Sequence, residues 1–543
     1  MKKIVVIGGV AGGMSFAARM RRLDETASIT VIEKSGFVSY ANCGLPYYIG
    51  GVIENESSLL LQTPQSLWKR FRIDVRVGSE VLRIDRQTKQ VDVKNYADGQ
   101  EYSLDYDYLI FSPGAAPVRP NIDGIERTLS LRNIEDVKAL FEAVTSLPKS
   151  AVVIGGGYVG VEVAENLKHR GIPTSLVEAQ NQILAPLDPE MATFVHKELE
   201  KNGIDLYLGS AVSKIAPTSV LLDNGDEIEA ELVIMAIGVK PEVSLANAAG
   251  LEIGERGGVK VNQFNQSSDA SIYAVGDAVE KTDAYDHSAA LVTLANIANR
   301  HGRIIADHIA GKKIRAVDAQ ATSIVKVFEL TIAASGWNEK RLKASGKDYV
   351  AVHNHPASHA GYYPGAQSMA LKLLIEPSTH RILGVQGVGK EGVDKRIDVI
   401  ATAMRGGISA PELADLELAY APPFGSAKDP VNMIGYISEN VLSGLTPTVQ
   451  WNEVEKKVTE GYSILDVRSV GEVERGTLPG AINIPIDEIR ERKEELPSGK
   501  ILVTCQVGQR GHAATRLLRE MGYEAVNLDG GYMTWSNSPA NKS

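Results

Sequence analysis

The stretch SAVVIGGGYVGVEVAENLKHRGIPTSLVEA, residues 150–179, decides the fold. An apolar run leads into a glycine-rich turn, a helical segment and a second apolar run that ends on Glu178. Gly155, Gly157 and Gly160 fill the spacing GxGxxG, and Glu178 follows Gly160 by 18 residues. This reads as a strand–turn–helix–strand unit. The helix N-terminus offers unpaired N–H groups to a pyrophosphate, and the acidic residue accepts bonds from ribose hydroxyls while repelling a 2′-phosphate. That favours NADH over NADPH. The N-terminus repeats the pattern: KKIVVIGGVAGGMSFAARMRR (2–22) precedes SITVIEK (28–34). Gly8, Gly12 and Gly13 stand in the turn, Val10 takes the place of the middle glycine, and Glu33 lies 20 residues past Gly13. Two copies in register, each with its strands, helix and carboxylate, point to two dinucleotide sites rather than to glycines serving packing alone.

Around these units the composition is that of a multidomain globular chain. At roughly 100–200 residues per domain, 543 residues should hold about three to five domains. Hydrophobic residues make up 44% and charged residues 23%, which excludes a largely disordered chain. The 57 basic and 67 acidic residues leave a net charge of −10, which argues against a nucleic-acid partner. No run of about 18 apolar residues is present, so no membrane span is expected. The N-terminal apolar stretch is broken by Gly8, Gly9, Gly12 and Gly13 and then by arginines, which fits a strand and turn better than a secretory signal. Two cysteines, Cys43 and Cys505, can neither staple a chain of this length nor build a four-thiolate zinc site. The expected compartment is therefore reducing, the cytoplasm, with no metal.

Strand pairs with turn signals follow each unit, for example 91–114 and 219–233, where Asn224–Gly225 marks a hairpin. From about residue 321 the text reads as an antiparallel sheet with helices, a separate α+β domain. Leu445–Thr446–Pro447–Thr448 reads as a linker. A fresh α/β pattern then runs through YSILDVR, AINIP, KILVTC and AVNLDGG. The expected organisation is an FAD-binding domain at 1–118 and 250–320, an NAD-binding domain at 119–249, a dimerisation domain at 321–445 and a last α/β domain at 451–543.

The assignment of FAD and of a dimer rests on a resemblance. Both dinucleotide units, SPGAAP (112–117, with Gly114), MAIGVKPE (235–242, with Gly238) and SSDASIYAVGDAVE (267–280) resemble the pyridine-nucleotide disulfide oxidoreductases across residues 1–445. In that family the last motif closes on FAD, which implies that Asp277 binds the ribityl chain. SYANCGLPYY (39–48) resembles the single-cysteine branch, because no second cysteine follows Cys43 at CxxxxC spacing. That branch includes coenzyme A-disulfide reductases, NADH oxidases and NADH peroxidases. A helix N-terminus beside Cys43 is expected to favour its thiolate. Oxidases and peroxidases carry a histidine where this chain has Ala11, which disfavours oxygen or peroxide chemistry. Coenzyme A-disulfide reductases use tyrosines of the C-terminal domain, matched here by Tyr362 and Tyr420. In the family the second tyrosine comes from the other subunit, which implies a homodimer. Coenzyme A carries phosphates, and the resemblance implies that Arg19, Arg22, Ser39, Asn42, Asn299 and Arg303 bind it.

Residues 451–543 resemble a rhodanese module. Asp466–Arg468, Glu472 and Pro479–Gly480 carry the likeness, and Cys505 opens the loop Cys505–Gln506–Val507–Gly508–Gln509–Arg510–Gly511. Backbone N–H groups ringing Cys505, together with Arg510, would stabilise a thiolate and then a persulfide. The combination is similar to the coenzyme A-disulfide reductase–rhodanese fusions. It implies NADH-dependent reduction of coenzyme A disulfide, coenzyme A persulfide or polysulfide at Cys43, with sulfane sulfur handled on Cys505. Two other readings stay open: an NADH oxidase or peroxidase, and a sulfur carrier dominated by the rhodanese module.

Overall fold

The structure, a computed structural model, describes residues 1–541. By packing they form two units, one of Met1–Ile183 with Gly203–Ala321, the other of Leu184–Asn202 with the chain from Thr322 onward.

Two parallel sheets build the first unit. Strands Ile272–Ala274, Tyr108–Phe111, Lys3–Ile7, Ser28–Ile32 and Asp74–Arg76 lie side by side in that order, all parallel. The second sheet has four parallel strands in the order Ile204–Leu208, Thr174–Glu178, Ala151–Ile154 and Leu232–Met235. Both nucleotide strands are buried on both faces, which is why they read as unbroken apolar runs rather than alternating ones. The hairpin expected at Asn224–Gly225 forms: Ser219–Leu222 pairs antiparallel with Glu227–Glu229, and Gly225 takes φ +95°. The segments SPGAAP and MAIGVKPE meet directly, because Ala115–Pro117 and Val239–Pro241 pair as short antiparallel strands.

The first nucleotide helix, Ala11–Leu23, packs on the helix Ala295–Ile309. Their approach depends on Gly302: a methyl group there would run into the carbonyl oxygen of Gly12 and stand 3.0 Å from Phe16 N. Arg19 ties the same two helices together through the buried Asp307, at 2.7 Å.

In the second unit, an antiparallel five-stranded sheet has the order Ser323–Val327, Leu330–Gly336, Ile382–Gly389, Met369–Ile375 and Val350–Asn354. Helices Val393–Gly406 and Pro430–Leu442 cover it with a shared apolar core. The C-terminal module is a parallel five-stranded sheet, order Thr448–Val449, Glu524–Leu528, Lys500–Thr504, Tyr462–Asp466 and Ile482–Asn483. Two details differ from the sequence reading. The helix Pro189–Lys201, which lies within the segment expected as the NAD-binding domain (119–249), packs with the C-terminal unit. The stretch read as a linker is built into the last sheet: Asn527 N donates to Pro447 O at 2.9 Å, and Thr448 opens an edge strand. A polar Thr/Pro segment served as an edge because only one side of it needs hydrogen bonds. The expected α/β class with four domain types is otherwise the architecture observed.

Candidate functional site

The two glycine turns are built alike. Glu33 accepts from Gly9 N at 2.7 Å and from Ser35 N at 2.8 Å. Glu178 accepts from Gly156 N at 2.7 Å and from Gln180 N at 2.8 Å. In each case the carboxylate at the end of the second strand clamps its own glycine loop and keeps lone pairs free for ribose hydroxyls. Burial pushes the Glu33 carboxyl up, against the two backbone N–H bonds that pull it down. Helices Ala11–Leu23 and Tyr158–His169 begin at Val10 and Gly157 with no side-chain cap and no acidic residue in the first turn. Their first N–H groups are thus left for an anion. A methyl group on Gly157 would meet nothing within 4 Å, so the space above the second turn is open. Gly8 and Gly155 adopt φ +95° and +110°, a region that other residues rarely enter. These features fit two dinucleotides, with FAD along the first helix and a nicotinamide nucleotide along the second. Asp277 bonds Arg132 at 3.1 Å, and Gly114 and Gly238 sit beside the paired strands at φ +80° and +115°.

Cys43 lies exposed on a one-turn helix, Asn42–Gly44, followed by the helix Leu45–Gly50. Ser39 N donates to Gly9 O at 2.8 Å, which hangs this loop on the first glycine turn. Ser39 itself takes φ 49°. Asn42 Oδ1 is buried without a hydrogen-bond partner. The helix Leu45–Gly50 seats on the second nucleotide helix: Arg170 Nε donates to Ile49 O at 2.8 Å, and Gly50 leaves room for the Asn166 amide.

The thiol's electrostatics correct the sequence reading. Burial holds the Cys43 thiol above its ordinary value, and the carboxylates of Glu162 and Asp277 push it further the same way. The helix elements at Cys43, Asn42–Gly44 and Leu45–Gly50, are short and carry only a small dipole. Glu162 is a residue that motif reading missed. It is half-buried on the second nucleotide helix and accepts from the Tyr47 hydroxyl at 3.1 Å. Burial pushes its carboxyl up to about 7, opposed by that hydrogen bond. A carboxyl two residues past Gly160, on the helix face beside buried Val161 and Val163, was the available signal.

Of the residues expected to bind coenzyme A, Arg19, Arg22, Asn299 and Arg303 fall on two neighbouring helices, and Ser39 and Asn42 on the Cys43 loop. Asn299 Oδ1 accepts from Ser15 Oγ at 2.9 Å, and Arg22 and Arg303 are exposed. Arg19, by contrast, spends both guanidinium bonds on Asp307. Tyr362 and Tyr420 come together in one chain, hydroxyl to hydroxyl at 2.8 Å, both exposed.

In the C-terminal module Cys505 is buried at the end of its strand, and Gly508 N donates to its sulfur at 3.2 Å. Arg510 pairs with Glu472 at 2.6 and 2.8 Å, so its charge is shared with that carboxylate as well as with Cys505. Arg468 is buried, forked onto Asp466, and reaches Gln506 Oε1 at 3.0 Å, which fixes the loop from beneath.

Comparison with known proteins agrees with this layout. The family model for pyridine nucleotide-disulphide oxidoreductases matches residues 2–302, that for their dimerisation domain 322–430, and that for rhodanese-like domains 450–538. Coenzyme A disulfide reductases of Staphylococcus epidermidis and Staphylococcus aureus are 34% and 36% identical over 438 and 440 residues, 80% of this chain and 99% of theirs. The crystal structure of reduced Bacillus anthracis CoADR-RHD shares 46% identity with a TM-score of 0.97, covering 99% of this chain and 98% of that one. A NAD-dependent persulfide reductase from A. fulgidus shares 38% identity at TM-score 0.93, covering 98% and 100%. Two glycine turns with their clamping carboxylates, one unpaired cysteine hung on the first of them, and these matches place the chain in the pyridine nucleotide-disulphide oxidoreductase family, with a rhodanese-like domain at its C-terminus.

Proposed function

We propose that the protein uses NADH to reduce coenzyme A disulfide, coenzyme A persulfide or polysulfide at Cys43, and that Cys505 accepts sulfane sulfur. The observation that carries the reading is the exposed, unpaired Cys43 on a loop bonded to the first nucleotide turn. FAD along the first helix would supply the two-electron exchange between nicotinamide and sulfur. The chain's own residues do the rest. The Cys43 thiolate attacks one sulfur of the disulfide. The substrate S–S bond breaks, one coenzyme A leaves as thiolate, and a Cys43–coenzyme A mixed disulfide forms. Two electrons from NADH then cleave that bond, and two protons complete the thiols. Glu162, with a carboxyl poised near neutrality beside Tyr47, is suited to hold one of those protons. Arg22, Arg303, Ser39, Asn42 and Asn299 would hold coenzyme A, with Arg19 positioned by Asp307.

The same reading includes a homodimer. Tyr362, Tyr363, Tyr420 and Phe424 are exposed at 76%, 43%, 46% and 71% in the dimerisation domain, an apolar face that a second copy would cover. Tyr362 and Tyr420 would be presented to that copy. Among the described residues no helix is long and apolar enough to cross a membrane, and a cytoplasmic location fits two cysteines left unpaired. Anaerobic NADH turnover with coenzyme A disulfide, coenzyme A persulfide and polysulfide in turn tests the reading. NADH oxidation by oxygen alone at an equal rate would favour an oxidase instead.

A further inference from the structure

The second unit holds a buried ionic cluster that the reductase chemistry does not use. His353 is 2% exposed, and each of its ring nitrogens faces a carboxylate: Nδ1 lies 2.6 Å from Asp529 Oδ2, and Nε2 lies 3.0 Å from Glu190 Oε1. An imidazole can donate from both nitrogens only when it is protonated. Glu190 in turn bonds Lys372, whose ammonium also reaches Asp188 at 2.9 Å and Glu339 at 2.6 Å. Those three carboxylates have the spacing of a metal site, but the Lys372 ammonium sits among them. The cluster joins the dimerisation sheet, the helix Pro189–Lys201 and the rhodanese-like domain.

Its rhodanese end is Asp529, the first residue of the turn that walls the Cys505 loop. His353 N also donates to Asp529 Oδ2 at 3.0 Å, and Gln450 Nε2 does so at 3.2 Å. Next to it, Gly530 lies so close to His353 that a methyl group there would stand 2.8 Å from the histidine Cβ. Gly531 packs on the Cys505 carbonyl, and a methyl group there would be 2.8 Å from Gly508 N, the same N–H that donates to the Cys505 sulfur. Tyr532 N donates to Cys505 O at 2.7 Å, and Met533 N to Gln506 O at 2.9 Å. His355 holds the far end of the turn, with Nε2 2.7 Å from Thr534 Oγ1. Residues 529–534, a two-residue turn and the first turn of the helix Gly531–Ser536, thus have two faces, one held by His353 and His355, the other bonded to the carbonyls of Cys505 and Gln506.

We propose that His353 is a positioning residue for sulfur transfer: its bonds to Asp529 and Glu190 fix the 529–534 segment, and through it the Cys505 loop whose Gly508 N–H holds the sulfur. This rests on the reading of Cys505 as the sulfur-accepting thiol. The groups facing His353 are Asp529, Glu190, Lys372 and His355, with Asp188 and Glu339 behind Lys372. The two carboxylates outweigh burial and Lys372, and they push the imidazole up to about 9. The clamp therefore holds through neutral pH and releases as pH rises through that value.

The test uses the full-length holoenzyme and the variants His353→Gln, Asp529→Asn, their double and Cys505→Ser. Sulfur transfer from glutathione persulfide to cyanide is followed as thiocyanate between pH 6 and 10, alongside NADH-dependent reduction of coenzyme A disulfide. His353→Gln is expected to lower the transfer kcat about tenfold at pH 7 with less effect on KM, to lack the alkaline fall expected of wild type, and to leave disulfide reduction within twofold. The double variant, with a neutral pair in place of the ionic one, should recover part of the loss. Wild-type transfer kinetics and an unchanged pH profile in His353→Gln would overturn the proposal. Hydrogen exchange of residues 505–511 and 529–534 supplies a readout independent of sulfur transfer, with at least tenfold faster exchange expected in His353→Gln. If wild type and Cys505→Ser transfer sulfur equally, the reading of Cys505 fails, and unchanged exchange would then also remove the positioning role.

Discussion

Replacing Glu178 should change which nicotinamide nucleotide the enzyme prefers, and the structure sets the size of the change. One carboxylate oxygen takes the Gly156 N–H and the other takes the Gln180 N–H, at 2.7 and 2.8 Å. About two lone pairs remain for the two ribose hydroxyls of NADH. Hydrogen bonds to a charged acceptor contribute about 1.5–3 kcal/mol each, so Glu178→Ala should lower kcat/KM for NADH by at least the ~10–100-fold that the loss of one such bond costs. For NADPH the sign reverses. A phosphate charge ~5 Å from the carboxylate, at an effective dielectric of about 20, is repelled by ~3 kcal/mol, a factor of a few hundred. Glu178→Ala removes that repulsion and also loosens the turn, so NADPH should gain by less than this. Wild type should prefer NADH by about two to three orders of magnitude, and the variant should bring the ratio to ~10 or below. Glu178→Gln keeps one acceptor oxygen without the charge and should fall between them. The assay is anaerobic steady-state turnover with coenzyme A disulfide at saturating concentration, with each nucleotide varied. A wild type that prefers NADPH, or a ratio within threefold of wild type in Glu178→Ala, would refute the assignment of this carboxylate.

Four other outcomes follow from the geometry. Glu162→Gln removes a carboxylate that pushes the Cys43 thiol up, so the pH midpoint for Cys43 alkylation should fall; an unchanged or higher midpoint would contradict the electrostatic account. Gly302→Ala places a methyl group against the backbone of the first nucleotide helix and should destabilise the fold by about 1–3 kcal/mol, seen as a lower Tm and easier loss of FAD; a wild-type Tm would show that the helices can separate freely. His353, raised to about 9 in the folded protein, contributes stability that is fully present below its unfolded value near 6.5 and is lost as pH rises through about 9. Denaturant unfolding of the second unit should accordingly weaken over that window by an amount on the order of 3 kcal/mol, and the loss should be absent in His353→Gln. Cys505→Ser should spare coenzyme A disulfide reduction while impairing reduction of polysulfide donors; equal rates on every donor would make the rhodanese-like domain accessory.

Local chemistry was legible in the sequence where the residues that matter are neighbours. The glycine turns, their carboxylates and the strand-to-helix loop of Cys505 each lie within a short window, and the structure forms the expected strand, turn and helix at each. Pairings across the chain left no such signal. His353 and Asp529 are 176 residues apart, and nothing in the segment AVNLDGG that holds Asp529 points to a histidine that far away. Tyr47 and Glu162 meet across 115 residues because the helix Leu45–Gly50 seats on the second nucleotide helix. Arg19 looks on a helical wheel like a free surface cation, but the buried carboxylate that binds it comes from a helix that begins at Ala295. Sequence spacing likewise placed a helix after Cys43 and could not weigh that short dipole against two carboxylates brought in by tertiary packing.

The central claim is that Cys43 is the thiol through which electrons from NADH reach the substrate sulfur. It is tested most directly by anaerobic turnover of coenzyme A disulfide in Cys43→Ser, with FAD content and flavin reduction by NADH measured on the same sample. The expected result is a variant that binds FAD and is reduced by NADH as wild type is, yet turns over coenzyme A disulfide at less than about one hundredth of the wild-type rate. A serine variant that keeps most of its disulfide reductase activity would contradict the account.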